Sequence, residues 1–207
     1  MAAGKSWSLI NLTKDFENTS TLRNYSMGIH PRFINESTLE NDWNQLQLAS
    51  RQKNVLAIGE CGLDRFCDIS FSLQEKVFVR QVRWANEIAK PLIIHCVRAF
   101  PETIRILKSC NNNVPVVFHG FNNKKEIAEL LLKEGYYLSF GKSLLHPNQE
   151  TIFNNIPLNR IFLENDDSDI AISRIYEQAA RIKQMSVETM SSEMKKNLLT
   201  VFNVSLT

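Results

Sequence analysis

The segment Ala57-Ile-Gly-Glu60-Cys-Gly-Leu-Asp64 carries most of the information about the fold of this chain. It continues an apolar run that begins at Val55, and it contains two carboxylates, the first of which stands between two glycines. A short run rich in valine, isoleucine and leucine is typical of a parallel strand that is buried on both faces. The segment therefore predicts a buried strand whose last residues carry chemically active groups.

Six further apolar runs alternate with polar stretches of helical period. Together with the first segment, the predicted strands are 7–12, 25–30, 55–62, 91–97, 114–121, 136–141 and 160–165. Helices are predicted near 37–52, from 72 to before Pro91, and near 99–110, 123–134, 147–155, 168–184 and 186–202. Ser72 and Ser186 are the predicted N-caps of the second and last helices. Alternating strands and helices predict an α/β fold with a parallel sheet. Because no linker interrupts the chain, residues 1–207 are predicted to form one domain.

Ionisable side chains stand at or near the end of nearly every predicted strand. They are His30, Glu60, Asp64, His95, His119, Glu164 and Asp166. In a (β/α) barrel the carboxyl ends of the strands converge on one face, where the active sites of such barrels are built. Imidazoles and carboxylates together make a ligand set for zinc, manganese or a similar divalent ion. This pattern favours a TIM-type (β/α) barrel with a metal site over an open doubly wound sheet.

Each of these residues has a simpler interpretation when it is taken alone. A single histidine that ends a strand is more often a hydrogen-bonded structural residue, and we assign His146, in a predicted loop, to that class. A buried glutamate can simply pair with an arginine. A metal site is predicted because four such residues occupy equivalent positions on separate strands. They are Glu60, His95, His119 and Asp166.

At these positions the chain resembles the TatD family of the amidohydrolase superfamily, over about residues 7 to 203. Five segments carry the match, and the first two are the most informative: Gly28-Ile-His30-Pro31 and Ile58-Gly-Glu60-Cys-Gly-Leu-Asp64. The others are Pro91-Leu-Ile-Ile-His95 with Arg98-Ala99, Val117-Phe-His119-Gly-Phe121, and Leu163-Glu164-Asn-Asp166. The glutamate and aspartate signature within 58–64 is the most specific of these motifs.

The resemblance implies a role for each matching residue. Glu60 corresponds to a carboxylate that bridges two metal ions, and His95 and His119 correspond to ligands of one of them. Asp166 corresponds to the aspartate at the other ion and is also expected to be the general base for the attacking water. Glu60 and Asp166 are thus the expected catalytic residues. The expected substrate-binding residues, near the mouth, are His30, Asp64 and Arg98, which would orient the substrate phosphate or groups that surround the metal ligands.

The resemblance also implies an activity, which is the metal-dependent hydrolysis of phosphodiester bonds, typically in DNA from its 3′ end. The expected cofactor is one or two divalent ions of zinc, manganese or magnesium, and the expected partner is single-stranded DNA as substrate. Two alternatives stay open. The same ligands polarise carbonyl groups, as in a deacylase or lactonase. A non-catalytic module could also use the same mouth to bind nucleic acid or a protein.

The chain departs from the family at the first strand, which in family members ends in His-x-His and holds the first metal. Here the first histidine is His30, in a Gly-Ile-His-Pro sequence. Seven strands are predicted where a closed barrel needs eight, so the barrel is expected to miss its first strand. We therefore expect weakened metal binding and reduced hydrolysis. Three explanations remain: the sequence begins after that strand, the barrel closes in another way, or catalysis has been lost.

The composition bounds the class of protein without identifying it. A chain of 207 residues that is 43% hydrophobic suits one domain with a sizeable core. A net charge of +2 neither requires nor excludes a nucleic-acid substrate. No apolar run reaches the roughly 18 residues that a membrane span needs, and the four cysteines form no Cys-x-x-Cys pair. The prediction is a cytoplasmic protein with reduced cysteines and no membrane partner.

Overall fold

All seven predicted strands form in the computed structural model, which describes residues 7–17, 19–166 and 168–204. The segment 1–6, which offers no side-chain metal ligand, lies outside the described residues. The chain folds as two compact units, Met1–Val114 and Pro115–Thr207. A single domain over 1–207 stays a prediction.

The first unit contains a parallel sheet of four strands that pair in sequence order. They are β1 (Leu9–Leu12), β2 (Asn24–Met27), β3 (Val55–Asp64) and β4 (Leu92–Val97). The helices of this unit are α1 (Leu39–Ala49), α2 (Phe71–Glu87) and α3 (Phe100–Ser109), and a 3-10 turn (Pro31–Phe33) follows β2. Because the strands are parallel, the chain leaves β2, β3 and β4 at the same edge of the sheet.

The second unit contains three parallel strands, which also pair in sequence order. They are β5 (Val116–Phe118), β6 (Tyr137–Phe140) and β7 (Ile161–Leu163). Its helices are α4 (Lys125–Lys133), α5 (Pro147–Asn155), α6 (Ile172–Ile182) and α7 (Val187–Phe202). Short 3-10 turns cover Lys142–Leu145 and Leu158–Arg160. On α7 the side chains of Met190, Met194 and Phe202 are buried.

In both units parallel strands alternate with helices, which confirms the predicted α/β class. The described residues hold seven strands, one fewer than a closed (β/α) barrel. None of the described helices has both the length and the apolarity that crossing a membrane requires.

The helix ends show which local predictions were right. Ser186 is the N-cap of α7, because its hydroxyl accepts a hydrogen bond from the Thr189 N–H at 3.1 Å. The cap predicted at Ser72 is wrong. Ser70 caps α2 instead, since its backbone is still extended and its hydroxyl accepts from the Leu73 N–H at 3.4 Å. The helix begins one residue before Ser72, which therefore lies inside its first turn.

Candidate metal centre

Two glycines allow the irregular course of β3 around Glu60. The pairing of β3 with β4 shifts register at this point, and the Gly59–Glu60 peptide bond is cis. Gly59 and Gly62 have φ values of 149° and 143°, which residues with a side chain rarely adopt. A Cβ atom on Gly62 would lie 2.1 Å from the carbonyl oxygen of His95. Glycine at this position therefore permits the close approach of β4 to the strand that bears Glu60.

A side chain from β1 holds the backbone of Glu60. The Oδ1 of Asn11 accepts a hydrogen bond from the Glu60 N–H at 2.8 Å and another from the Ser26 hydroxyl at 3.1 Å. The Glu60 side chain is 16% exposed, and its Oε2 lies 3.9 Å from Nε2 of His30. The carboxylate thus stands on a fixed backbone, beside a histidine, with part of its surface open to solvent.

The orientation of His95 is set by Asp64. The Nε2 of His95 lies 3.1 Å from Oδ2 of Asp64. Since an ionised carboxylate only accepts hydrogen bonds, Nε2 is the donor, and Nδ1 carries the lone pair of the neutral ring. Ligating histidines commonly donate their second ring nitrogen to a carboxylate in this way, which fixes the tautomer and the ring orientation. In this tautomer Nδ1 of His95 carries the lone pair that a metal ligand requires.

Asp64 has no exposed surface and accepts hydrogen bonds from three groups. Besides His95, its Oδ2 accepts from Nε of Arg32 at 2.7 Å, and its Oδ1 accepts from the Phe66 N–H at 2.8 Å. Burial raises the pKa of Asp64, but the hydrogen bonds from Arg32, Phe66 and His95 outweigh burial and keep this pKa below its usual range. A substrate-binding role for Asp64 stays a prediction. The geometry makes Asp64 a residue that positions His95.

His30 lies beside His95, with ring centroids 4.3 Å apart. Its Nδ1 accepts a hydrogen bond from the Arg32 N–H at 3.2 Å, so Nε2 carries the proton of the neutral ring. Together His30, Glu60 and His95 each offer one ligand atom within 4.8 Å of the other two. Within this group the tautomers favour Glu60 and His95 as ligands and His30 as a hydrogen-bond donor.

Two buried glutamines of α2 hold the backbone on either side of this group, and neither was predicted from the sequence. Gln81 accepts from the Ile29 N–H at 2.7 Å and donates to the Ile29 carbonyl at 3.0 Å. Gln74 accepts from the Asp64 N–H at 2.8 Å and donates to the Asp64 carbonyl at 3.1 Å. The signal that would have revealed them is the presence of two amides on a helix face that is otherwise apolar.

We expect Gln81→Leu to lower the stability of the chain by about 2 kcal/mol, because the substitution leaves two buried backbone groups of Ile29 without partners. For a chain of this size that corresponds to a fall of about 5 °C in the thermal unfolding midpoint. Gln45→Leu, on the exposed side of α1, is the matched control and should leave the midpoint unchanged. Equal midpoints for the two variants would contradict the role assigned to Gln81.

Arg98, a predicted substrate-binding residue, is exposed just after β4. Its backbone has a left-handed φ of 52°. Its guanidinium carbon lies 4.7 Å from the centroid of the Phe66 ring. The guanidinium of Arg98 is therefore held over the Phe66 ring and is accessible to an anionic ligand.

In the second unit, Glu164 accepts hydrogen bonds from two neighbouring segments. Its Oε1 accepts from the Gly120 N–H at 2.6 Å, and its Oε2 accepts from the Ser139 hydroxyl. The same Oε1 lies 3.8 Å from Nδ1 of His119. Asp166 follows β7, is exposed, and has a left-handed φ of 45°. The roles predicted for His119 and Asp166 rest on the family resemblance.

A family model and individual relatives among known protein sequences match this chain and agree with one another. The model of the family described as TatD related DNase matches residues 7–203. A metal-dependent hydrolase from Buchnera aphidicola subsp. Baizongia pistaciae is 31% identical over 197 residues, which cover 86% of this chain and 74% of the relative. The metal-dependent hydrolase YabD of Bacillus subtilis is 29% identical over 198 residues, which cover 87% and 77%. Both relatives are named as uncharacterized.

Solved structures show the same fold at lower sequence identity. YJJV, a TatD homologue from Escherichia coli K12, superposes with a TM-score of 0.82 over 95% of this chain and 86% of its own, at 22% identity. A TatD family hydrolase from Entamoeba histolytica superposes with a TM-score of 0.77 over 90% and 77%, at 18% identity. The predicted fold class is thereby confirmed, since the described residues have the fold of a (β/α) barrel without its first strand.

Proposed function

The chain belongs to the TatD-related DNase family of metal-dependent hydrolases, and we propose from that premise that it cleaves phosphodiester bonds in single-stranded DNA. The observation that carries the proposal is the pair of Glu60 and His95, whose ligand atoms lie within 4.8 Å of each other and of a ring nitrogen of His30. Asp64, buried behind His95, supports this use of the group because it fixes the ligating tautomer.

The donor set fits a divalent cation. Glu60 offers a carboxylate oxygen and His95 offers Nδ1, which are donors that zinc and manganese accept. A divalent ion bound there would activate water for attack and neutralise charge on the phosphate. We propose one such ion in the first unit. His119 as a further ligand and Asp166 as the general base are proposed on the family resemblance.

The side chains around the cation site suit a phosphodiester substrate. His30, which carries its proton on Nε2, can donate a hydrogen bond to a nonbridging phosphate oxygen. Arg98 is exposed, so its guanidinium can pair with a second phosphate of the strand. Asp166 would accept the proton of the attacking water, a role that suits a solvent-exposed carboxylate after β7. A cytoplasmic location stays a prediction.

The test is the hydrolysis of a 3′-labelled single-stranded oligonucleotide by the full chain, in the presence of manganese or magnesium. We expect labelled products to appear with either ion, to disappear on addition of EDTA, and to reappear when manganese is restored in excess. Duplex DNA of the same sequence should be cleaved more slowly, because its bases are paired and stacked inside the helix and its two strands must separate before one can enter the site.

Two other results would overturn the proposal. Turnover of an N-acyl amino acid or a lactone, with the oligonucleotide left intact, would identify a deacylase or lactonase that uses the same ligands. Binding of the oligonucleotide without cleavage under any of zinc, manganese or magnesium would identify a binding module.

A further inference from the structure

Two exposed phenylalanines lie in the loops that follow β2 and β3. The Phe33 side chain is 56% exposed and that of Phe66 is 63% exposed. Rings of this size usually contribute to a core, and exposed apolar surface beside polar groups often marks a binding site. The Phe33 ring adjoins His30, and Phe66 contacts Asp64 through its backbone N–H. These contacts set the two residues apart from exposed leucines such as Leu22 and Leu48.

Phe33 is connected to the site through His30. It ends the 3-10 turn that follows His30, and the two ring centroids are 5.3 Å apart. Next to Phe33 lies a groove of about 550 Å³, within the range of about 300–1,000 Å³ that small-ligand pockets show. Arg32, Glu36 and Asp68 line this groove, and Arg32 is paired with the buried Asp64. The charge of the other two side chains disfavours a phosphate there, whereas the amino groups of a nucleobase donate hydrogen bonds to carboxylates.

Phe66 is connected to the site through Asp64. Its N–H donates to the carboxylate that orients His95, so its position is tied to that of the proposed ligand. Arg98 lies over its ring. An aromatic ring with an arginine is a combination that binds a single strand, because the ring stacks on a base and the cation pairs with the backbone.

On these grounds, and resting on the proposed function, we infer that Phe33 and Phe66 stack on nucleobases on either side of the phosphodiester that is cleaved. The base near Phe33 enters the groove lined by Glu36 and Asp68, and the phosphate beside the base on Phe66 pairs with Arg98. Bases inside a duplex already stack on each other, so this arrangement selects single strands. The chain would then recognise the bases of its substrate without requiring a particular sequence.

The first experiment measures binding without metal, by fluorescence anisotropy of a labelled single strand and of an abasic strand of equal length and charge. We expect the intact strand to bind more tightly. Phe33→Ala and Phe66→Ala should each weaken binding of the intact strand by about tenfold, which is in the usual range for one base stacked on an aromatic ring. Both variants should leave binding of the abasic strand unchanged. Phe33→Tyr and Phe66→Tyr should restore the affinity, and Arg98→Gln should weaken both strands equally.

Leu48→Ala, which removes an apolar side chain that is 78% exposed on α1, is the matched control and should change neither affinity. In the manganese assay the two alanine variants should raise KM for the oligonucleotide and leave kcat nearly unchanged. If the chain cleaved DNA and neither alanine variant changed the affinity for the intact strand or KM, the inference would be overturned and the proposed function would remain. Base-dependent binding that both variants abolish, without cleavage under any metal, would support the inference and overturn the proposed function.

Discussion

Replacement of Glu60 by glutamine is expected to remove nearly all hydrolysis of the single strand. The substitution keeps the shape of the side chain and its backbone hydrogen bond to Asn11, but it replaces an anionic ligand by a neutral amide. A catalytic cation contributes several kcal/mol to the transition state, and each 1.4 kcal/mol corresponds to a tenfold rate change. We therefore expect kcat/KM to fall by about 10³-fold.

Metal content should fall together with activity. Elemental analysis of manganese-loaded and desalted protein is expected to find at least one ion in the unsubstituted chain and much less in Glu60→Gln and His95→Ala. Glu129→Gln and His146→Ala are matched controls, because both side chains are exposed and belong to the second unit. If Glu60→Gln kept both its manganese and its activity, the metal centre proposed in the first unit would be wrong.

The strands could be predicted because their signal is local. Each is a short apolar run, and the runs at Val55 and Leu92 are buried as the pattern indicated. The ends were harder to predict. The strand expected over 114–121 covers only Val116–Phe118, because Gly120 adopts a left-handed φ of 59° and turns the chain away. Apolar residues beyond that turn still pack in the core, which is why the pattern alone extended the strand.

The site could be predicted in part, for a topological reason. Parallel strands run toward the same edge of a sheet, so polar residues in or just after the carboxyl-terminal halves of β2, β3 and β4 come together, as His30, Glu60 and His95 do. No comparable topological rule predicts which residues far apart in the sequence form a hydrogen bond. The amide of Gln81 meets the backbone of Ile29 across 52 positions, and only the rotation of α2 about its axis decides this contact.

The burial of Asp64 was beyond prediction for a similar reason. Its position at the end of an apolar strand suggested a residue at the mouth of the site. Whether the side chain faces the mouth or the interior depends on where Arg32 and His95 lie, and both are more than 30 positions away. The consequence is large, since a buried acceptor that orients a ligand differs in function from a residue that touches the substrate.

Asp64→Asn is therefore expected to weaken metal binding without removing any ligand. The amide keeps the size of the side chain but has only one accepting oxygen atom. If its nitrogen faces Arg32 and His95, it donates a hydrogen bond to Nε2 of His95, and the ring proton must move to Nδ1. Nδ1 then has no lone pair with which to bind the cation. If its nitrogen faces Phe66, the N–H of that residue loses its acceptor. Substitutions behind metal ligands typically cost about 10- to 100-fold in metal affinity or activity, and we expect that range for manganese, measured by competition with a chelating dye.

The same variant should also be less stable, in a way that depends on pH. Loss of the charged hydrogen bonds is expected to lower the free energy of unfolding by about 2 kcal/mol at pH 7. The pKa of Asp64 in the folded chain is lowered, so its contribution is fully present above the unfolded carboxyl pKa of about 4 and is lost as pH falls through the lower folded value. Urea unfolding of the metal-free protein measures this effect. The free energy of unfolding of the unsubstituted chain should exceed that of Asp64→Asn at pH 7, and the difference between the two free energies should narrow as pH falls below about 4. Asp15→Asn, at an exposed position, is the matched control. A difference that stayed constant down to pH 2 would mean that the charge of Asp64 does not stabilise the fold.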